Sequence, residues 1–210
     1  LIRQQIYKID VEIEDNLKGL HSIYFKRANY NKCIELSNLI IKINENDADN
    51  YIVRAQTYDE LEKYNEAIID FEKAISLDGT NAKYYYWCAN VYLYTNKFYK
   101  AEEFLVLAEN LGHNKSDIYN MYANLYRLKN NIEKAFEFIE KAIKIDDDPI
   151  LIGTKAVIYA TNGNDLEFYK SLEDVLKKGI DAKRLFPDIK KKYKDDEKFN
   201  QILKKYNQAI

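Results

Sequence analysis

Residues that interrupt regular structure are scarce in this chain: 2 prolines and 6 glycines in 210 residues. So few breakers leave little room for β-hairpins or long loops, and they predict helices joined by short turns. Cysteine is nearly missing as well. Cys33 and Cys88 are too few for a disulfide framework and lack zinc-ligand spacing, so they read as small packed hydrophobes, which leans toward a reducing, cytoplasmic setting. The start Leu1-Ile2-Arg3 carries no signal-peptide pattern, and the compartment is left open. No apolar run approaches the roughly 20 residues needed to cross a bilayer, so a membrane role is not expected. The formal net charge of −2 supplies no global field that would gather nucleic acid.

What the chain does have is a period. Cut at 14–47, 48–81, 82–115 and 116–149, it falls into four windows of 34 residues without a gap. The eighth place of the windows holds His21, Ala55, Ala89 and Ala123, and the eleventh holds Tyr24, Tyr58, Tyr92 and Tyr126. Cys33, Ala67, Ala101 and Ala135 stand at the twentieth place, and Ile40, Ala74, Ala108 and Ala142 at the twenty-seventh. Large apolar residues fill the fourth (Leu17, Tyr51, Tyr85, Tyr119) and the seventeenth (Tyr30, Tyr64, Phe98, Ile132).

Places four, eight and eleven fall on one stripe of a first helix; places seventeen, twenty, twenty-four and twenty-seven fall on one stripe of a second. Small residues let the two backbones approach, and bulky ones fill the flanks. Polar breaks such as Thr95-Asn96-Lys97 and Lys129-Asn130-Asn131 separate the helices. Each window is therefore a helix–turn–helix hairpin that must stack on its neighbours to bury its stripe.

On Tyr85, Ala89, Tyr92, Phe98, Ala101, Leu105 and Ala108 above all, the chain resembles the tetratricopeptide repeat (TPR) family. The resemblance covers 14–149 and implies an all-α fold, a right-handed α-solenoid of stacked helix–turn–helix repeats. It departs from the family where a proline is usual near the repeat end: Glu45, Gly79, His113 and Asp147 stand there.

The windows define the expected organisation: repeats at 14–47, 48–81, 82–115 and 116–149, a degenerate fifth repeat at 150–179 and terminal helices over 180–210. Ile9-Asp10 mirrors Leu77-Asp78 and Ile145-Asp146, so 1–13 is expected to close a truncated preceding repeat of a longer array. In the fifth repeat Ala156 and Tyr159 form the first-helix stripe, Gly163-Asn164 the turn, and Gly179 the residue past a second helix starting at Asp165. Pro187 is placed to open a short helix, and Asp195 or Asp196 to cap a last one carrying Phe199, Ile202, Leu203 and Tyr206. This tail looks like the closing segment of many bacterial members, which covers the last apolar face.

Chemistry of the catalytic kind has few candidates. His21 sits at a small-residue place and His113 in an inter-repeat turn, where packing or solvation explains them. No phosphate loop, nucleophile elbow, H-E-x-x-H or paired C-x-x-C occurs, and Asp146-Asp147-Asp148 lacks the rest of a calcium loop. The expectation is a non-enzyme that needs no cofactor or metal.

By the resemblance, first helices line a concave groove into which places two, five, nine, twelve and thirteen point. Those places give Asp49, Ile52, Gln56, Asp59 and Glu60 in the second repeat. They give Lys83, Tyr86, Asn90, Leu93 and Tyr94 in the third, and Asp117, Asn120, Asn124, Arg127 and Leu128 in the fourth. Asn90 and Asn124 each carry a donor and an acceptor that suit a peptide amide. Tyr86 and Tyr94 suit an apolar side chain, and Lys83 and Arg127 a carboxylate. The predicted peptide-binding set is Gln56, Lys83, Tyr86, Asn90, Tyr94, Asn120, Asn124 and Arg127. The carboxylate clamp of chaperone-tail binders is matched only by Lys18 and Lys83, while Ser22, Val53 and Trp87 depart from it, so no such tail is expected to bind. The function read here is a scaffold holding an extended segment of another protein. The rival is self-assembly through an N-terminal apolar stripe (Ile2, Ile6, Ile9). The lysine-rich tail (Lys177, Lys178, Lys183, Arg184, Lys190, Lys191, Lys192, Lys194) reads as a solvated terminal helix more readily than as a nucleic-acid or lipid surface.

Overall fold

The computed structural model describes the backbone of residues 2–180 and 187–206, and the side chains of 11–180, 189 and 191–206. The described residues contain helices and turns, and no strand. They fall into two compact units, Leu1–His113 and Asn114–Ile210.

Unit 1 contains α1 (Ile2–Lys26), α2 (Tyr30–Ile43), α3 (Ala48–Glu60), α4 (Tyr64–Leu77), α5 (Ala82–Tyr94) and α6 (Phe98–Asn110). Each helix packs on the next in sequence, which makes three stacked hairpins. The small residues of the period stand at the contacts: Cys33, Ala55, Ala67, Ala74, Ala89 and Ala101 are fully enclosed. Side chains about one repeat apart then tie hairpin to hairpin. The His21 ring lies 3.1 Å from the Thr57 hydroxyl, and Asn50 Nδ2 donates to Glu14 Oε1 at 3.2 Å. The Tyr84 hydroxyl donates to Asp49 at 2.6 Å.

Unit 2 contains α7 (Lys115–Leu128), α8 (Ile132–Ile145), α9 (Pro149–Thr161), α10 (Asp165–Lys177), α11 (Pro187–Lys192) and α12 (Glu197–Lys205). Its core is aromatic. Phe138 of α8 meets the rings of Tyr119, Tyr122 and Tyr126 at 6.0, 5.1 and 5.4 Å between centroids. Phe168 of α10 is wholly enclosed and meets Tyr193 at 4.6 Å and Phe199 at 6.0 Å. Burying one such ring stabilises by about 1.5–3 kcal/mol, which holds the short α11 and α12 against α10.

One turn geometry recurs within the hairpins. Ala28, Glu62, Asn96 and Asn130 have φ of 54, 56, 57 and 58°, and Gly163 has φ of 74° in the fifth. The residue after each sends its N–H back to the carbonyl of the eleventh-place tyrosine: Asn29 to Tyr24, Lys63 to Tyr58, Lys97 to Tyr92 and Asn131 to Tyr126, with Asn164 to Tyr159 in the fifth. The left-handed residue and the six-to-one bond are the signature of a Schellman closure. The next residue then starts the second helix. Asn29, Asn131 and Asn164 cap it with their side chains, whereas Lys63 and Lys97 do not.

The sequence misleads at the beginning. Where a turn was expected after Asp10, α1 continues without a break through residue 26. Asp78 and Asp146 do end helices, because a turn follows: Asp78 accepts from Thr80 N–H at 3.0 Å, and Pro149 lies just beyond Asp146. Asp10 is followed by Val11-Glu12-Ile13, which contains nothing to stop a helix. At the other end α10 stops at Lys177, Gly179 has φ of 80°, and Asp196 caps α12 by accepting from Phe199 N–H at 2.7 Å. Lys183, Arg184 and the side chain of Lys190 lie outside the described residues, as do the side chains of Ile2, Ile6 and Ile9.

Candidate functional site

The predicted binding residues divide between the units. In unit 1, α3 carries Gln56, and α5 carries Lys83, Tyr86, Asn90 and Tyr94. Lys83 is exposed in the first turn of α5, where Asn81 caps the helix by accepting from Lys83 N–H at 3.1 Å. Tyr86 is half-buried, with its ring stacked on that of His113 at 4.3 Å and 19°. Tyr94 stacks on Tyr64 of α4 at 5.8 Å and 9°, yet leaves 51% of its surface to solvent. Asn90 lies one helical turn from each tyrosine, half-buried, and its amide bonds to no protein group among the described residues. α5 therefore presents two rings, each held by a second ring, around an amide with its donor and acceptor open.

Two neighbouring places on this face are core instead of groove. Ile52 and Leu93 are 4% and 3% exposed and pack inward. An apolar side chain at the edge of a helix stripe is drawn into the core when a neighbouring helix offers area, and helical spacing alone does not show where the edge falls.

Asp59, on the same helix as Gln56, is a titratable group of interest. Burial pushes its carboxyl up to about 6, with the Glu60 charge adding to the effect. An acid that is part neutral near pH 6 acts as both donor and acceptor. Its residue type gave no hint of this, since the shift comes from surroundings that only the fold creates.

In unit 2 the set lies on α7. Asn120, Asn124 and Arg127 are all half-buried. Asn124 Nδ2 donates to the Asn120 carbonyl at 3.2 Å, so one of its two N–H groups serves its own helix. The other N–H and the oxygen bond to no protein group among the described residues. The Asn120 side-chain oxygen is enclosed without a hydrogen-bond donor among the described residues. An acceptor left so is costly and is relieved by any donor that reaches it.

Lys18, one of the two residues matching the carboxylate clamp, is held by Glu14 at 2.6 Å and Asp47 at 3.1 Å. Its charge is already answered within the fold. Of the two histidines, His21 is buried and bonded to Thr57, and His113 is packed on Tyr86. Burial pushes the Cys33 thiol up, and the Cys88 thiol further. Among the described residues no group of three His, Cys, Asp or Glu side chains is placed to hold a metal, and no helix is long and apolar enough to cross a membrane.

Stacked helical hairpins with a half-exposed set of ring and amide groups on their first helices define a repeat scaffold for protein interaction. Comparison with known proteins gives the family. The family described as TPR repeat matches residues 55–94, and that described as tetratricopeptide repeat matches 116–149. Residues 55–94 and 116–149 thus carry tetratricopeptide repeats. A tetratricopeptide repeat protein of Parabacteroides merdae is similar at 16% identity, covering 92% of this chain and 77% of that one, with a TM-score of 0.78. PilF of Pseudomonas aeruginosa is similar at 17% identity over 93% of this chain and 92% of its own, with a TM-score of 0.66. YrrB, described as a TPR protein with an unusual peptide-binding site, is 21% identical over 81% and 90%, with a TM-score of 0.50. At these identities the likeness concerns the fold. No curated protein matches the chain.

Proposed function

We propose that the first helices of this scaffold hold an extended segment of a partner protein by its backbone. The observation that carries the reading is Asn90. Its amide is unpaired, half-exposed, and flanked on α5 by Tyr86 and Tyr94, whose rings are already fixed by stacking. A fixed ring offers area to an apolar side chain with little entropy left to lose, and an amide pairs with a peptide group whatever its side chain. Gln56 and Lys83 extend this surface in unit 1. Asn120 and Asn124 offer amide groups on α7 of unit 2. The description of YrrB as a TPR protein with an unusual peptide-binding site supports the reading. The partner is identified by capture with the full-length protein followed by mass spectrometry, and its segment is then titrated calorimetrically. Asn90→Ala combined with Asn124→Ala is expected to weaken binding by about 2 kcal/mol, roughly 1 per lost amide pair. Unchanged affinity sinks this site.

Self-assembly is the second reading. On α1, Val11, Ile13, Leu20 and Ile23 are 39 to 48% exposed, and Ile13, Leu20 and Ile23 share one stripe. Light scattering that reports a monomer across concentrations removes it.

A further inference from the structure

A groove of about 520 Å³ runs between α10 and α12, and the residues lining it stand at none of the first-helix positions considered above. Its apolar lining is the nearly enclosed Tyr169 and Ile202 and the exposed Leu166. Each helix brings one stripe to it: Leu166, Lys170 and Glu173 at i, i+4 and i+7 on α10, and Lys198, Ile202 and Lys205 at the same spacing on α12.

Three lysines and one glutamate line this groove, and four of the acids nearby are already committed, while Glu167, Asp195 and Glu197 lie outside its lining. Glu173 is paired with Lys205 at 3.0 Å and Asp174 with Lys177 at 3.4 Å. Asp165 accepts from the Tyr193 hydroxyl. Asp196 accepts from Phe199 N–H and from the Tyr169 hydroxyl. Among the described residues Lys170 and Lys198 have no carboxylate partner. Lys170 is exposed, and Lys198 lies over the Tyr169 ring, 4.5 Å from its centroid. Leu166, beside them, leaves 70% of its surface in water. Cationic rims around an exposed leucine and a ring form an amphipathic trough.

We propose that this trough docks an acidic amphipathic segment of a partner protein, with carboxylates on Lys170 and Lys198 and an aliphatic or aromatic side chain on the apolar lining between them. The chemistry selects this occupant. A nucleic-acid backbone would satisfy the lysines and leave Leu166 without apolar contact, and a flat bilayer does not fill a concavity between two helices. An acidic segment with apolar anchors at helical spacing answers both features at once.

The test is fluorescence anisotropy on the full chain. The probe is a labelled dodecapeptide carrying leucine and phenylalanine at helical spacing and glutamate or aspartate elsewhere. Binding is expected, weakened by salt. Lys170→Glu combined with Lys198→Glu is expected to raise Kd at least about tenfold, and Leu166→Ser several-fold. These residues are exposed, so the circular dichroism spectrum of each variant should match that of the parent. A peptide with lysine in place of its acids should not bind, and Asn90→Ala with Asn124→Ala should leave the affinity unchanged. The proposal is overturned if the charge reversals leave Kd where it was. It is also overturned if phosphatidylserine vesicles and not the peptide are bound through these lysines, or if the reversals abolish a self-association seen by light scattering, which would assign the trough to a second copy of the chain.

Discussion

In unit 1 the hairpins are joined by directional bonds: His21 to Thr57, Asn50 to Glu14, Tyr84 to Asp49. Arg54 adds two bonds of 2.7 Å to Asp70 and one to Asn38, so α2, α3 and α4 share one guanidinium. In unit 2 the buried polar side chains, among the described residues, are Ser116 and Thr154; directional bonds such as Lys155–Glu140 and Tyr193–Asp165 lie nearer the surface, and rings around Phe138 and Phe168 fill the interior. The same backbone period thus tolerates two kinds of glue. Directional bonds fix the register of hairpins and leave stability dependent on pH and charge. Rings supply area that is indifferent to both.

The largest break in that comparison is expected from Phe168→Ala. Emptying the site of a fully enclosed ring should cost about 3–5 kcal/mol, read as a loss of denaturation midpoint that is the same at pH 5 and at pH 8. Next is Asp70→Ala. It strands a half-buried guanidinium and should cost about 2–4 kcal/mol, while Arg54→Met with Asp70→Leu should recover most of it, since an apolar pair needs no partner charge. If the double variant is as unstable as the single one, unit 1 does not depend on the pairing in this way.

The pH dependence of unit 1 should carry two opposed contributions. Asp59 is raised to about 6, so its ionised form is disfavoured in the fold; that destabilisation is present above pH 6 and disappears as pH falls toward the unfolded value. Asp59→Asn should therefore stabilise by about 1–2 kcal/mol at pH 7.5 and by nothing near pH 4. His21 is held below its ordinary value by burial. Its neutral ring stabilises above the unfolded value of about 6.5, and this is lost as pH falls below it. Parallel denaturation of the parent and Asp59→Asn at both pH values resolves the two. The smallest effect concerns the caps. Lys63→Asn should supply the bond that Asn29, Asn131 and Asn164 already make and raise stability by about 1 kcal/mol.

The hairpins were legible because alanine at a helix contact and tyrosine at its flank are forced by geometry, and geometry repeats every 34 residues. The terminal helices were legible from Gly179, Pro187 and the pair Asp195 and Asp196, of which Asp196 makes the cap. The continuity of α1 was not, because Ile9-Asp10 copies the end of a helix without the turn residues that enforce it. Binding residues were the least legible. Spacing put Ile52 and Leu93 on the inner face although packing withdraws them, and it gave no sign that Asn124 spends a donor on Asn120. The trough between α10 and α12 joins residues outside the repeating pattern, so no period pointed to it.

The left-handed residue at 28, 62, 96 and 130 has a consequence for how such a chain can be rebuilt. The joint is closed by main-chain bonds to a carbonyl five residues earlier, and alanine, glutamate and asparagine all serve at it. A hairpin cassette cut between repeats, and not at these joints, carries its own hinge geometry with it. Exchange of whole cassettes between positions then asks only that the side-chain glue on either flank be matched, directional bonds to directional bonds and rings to rings.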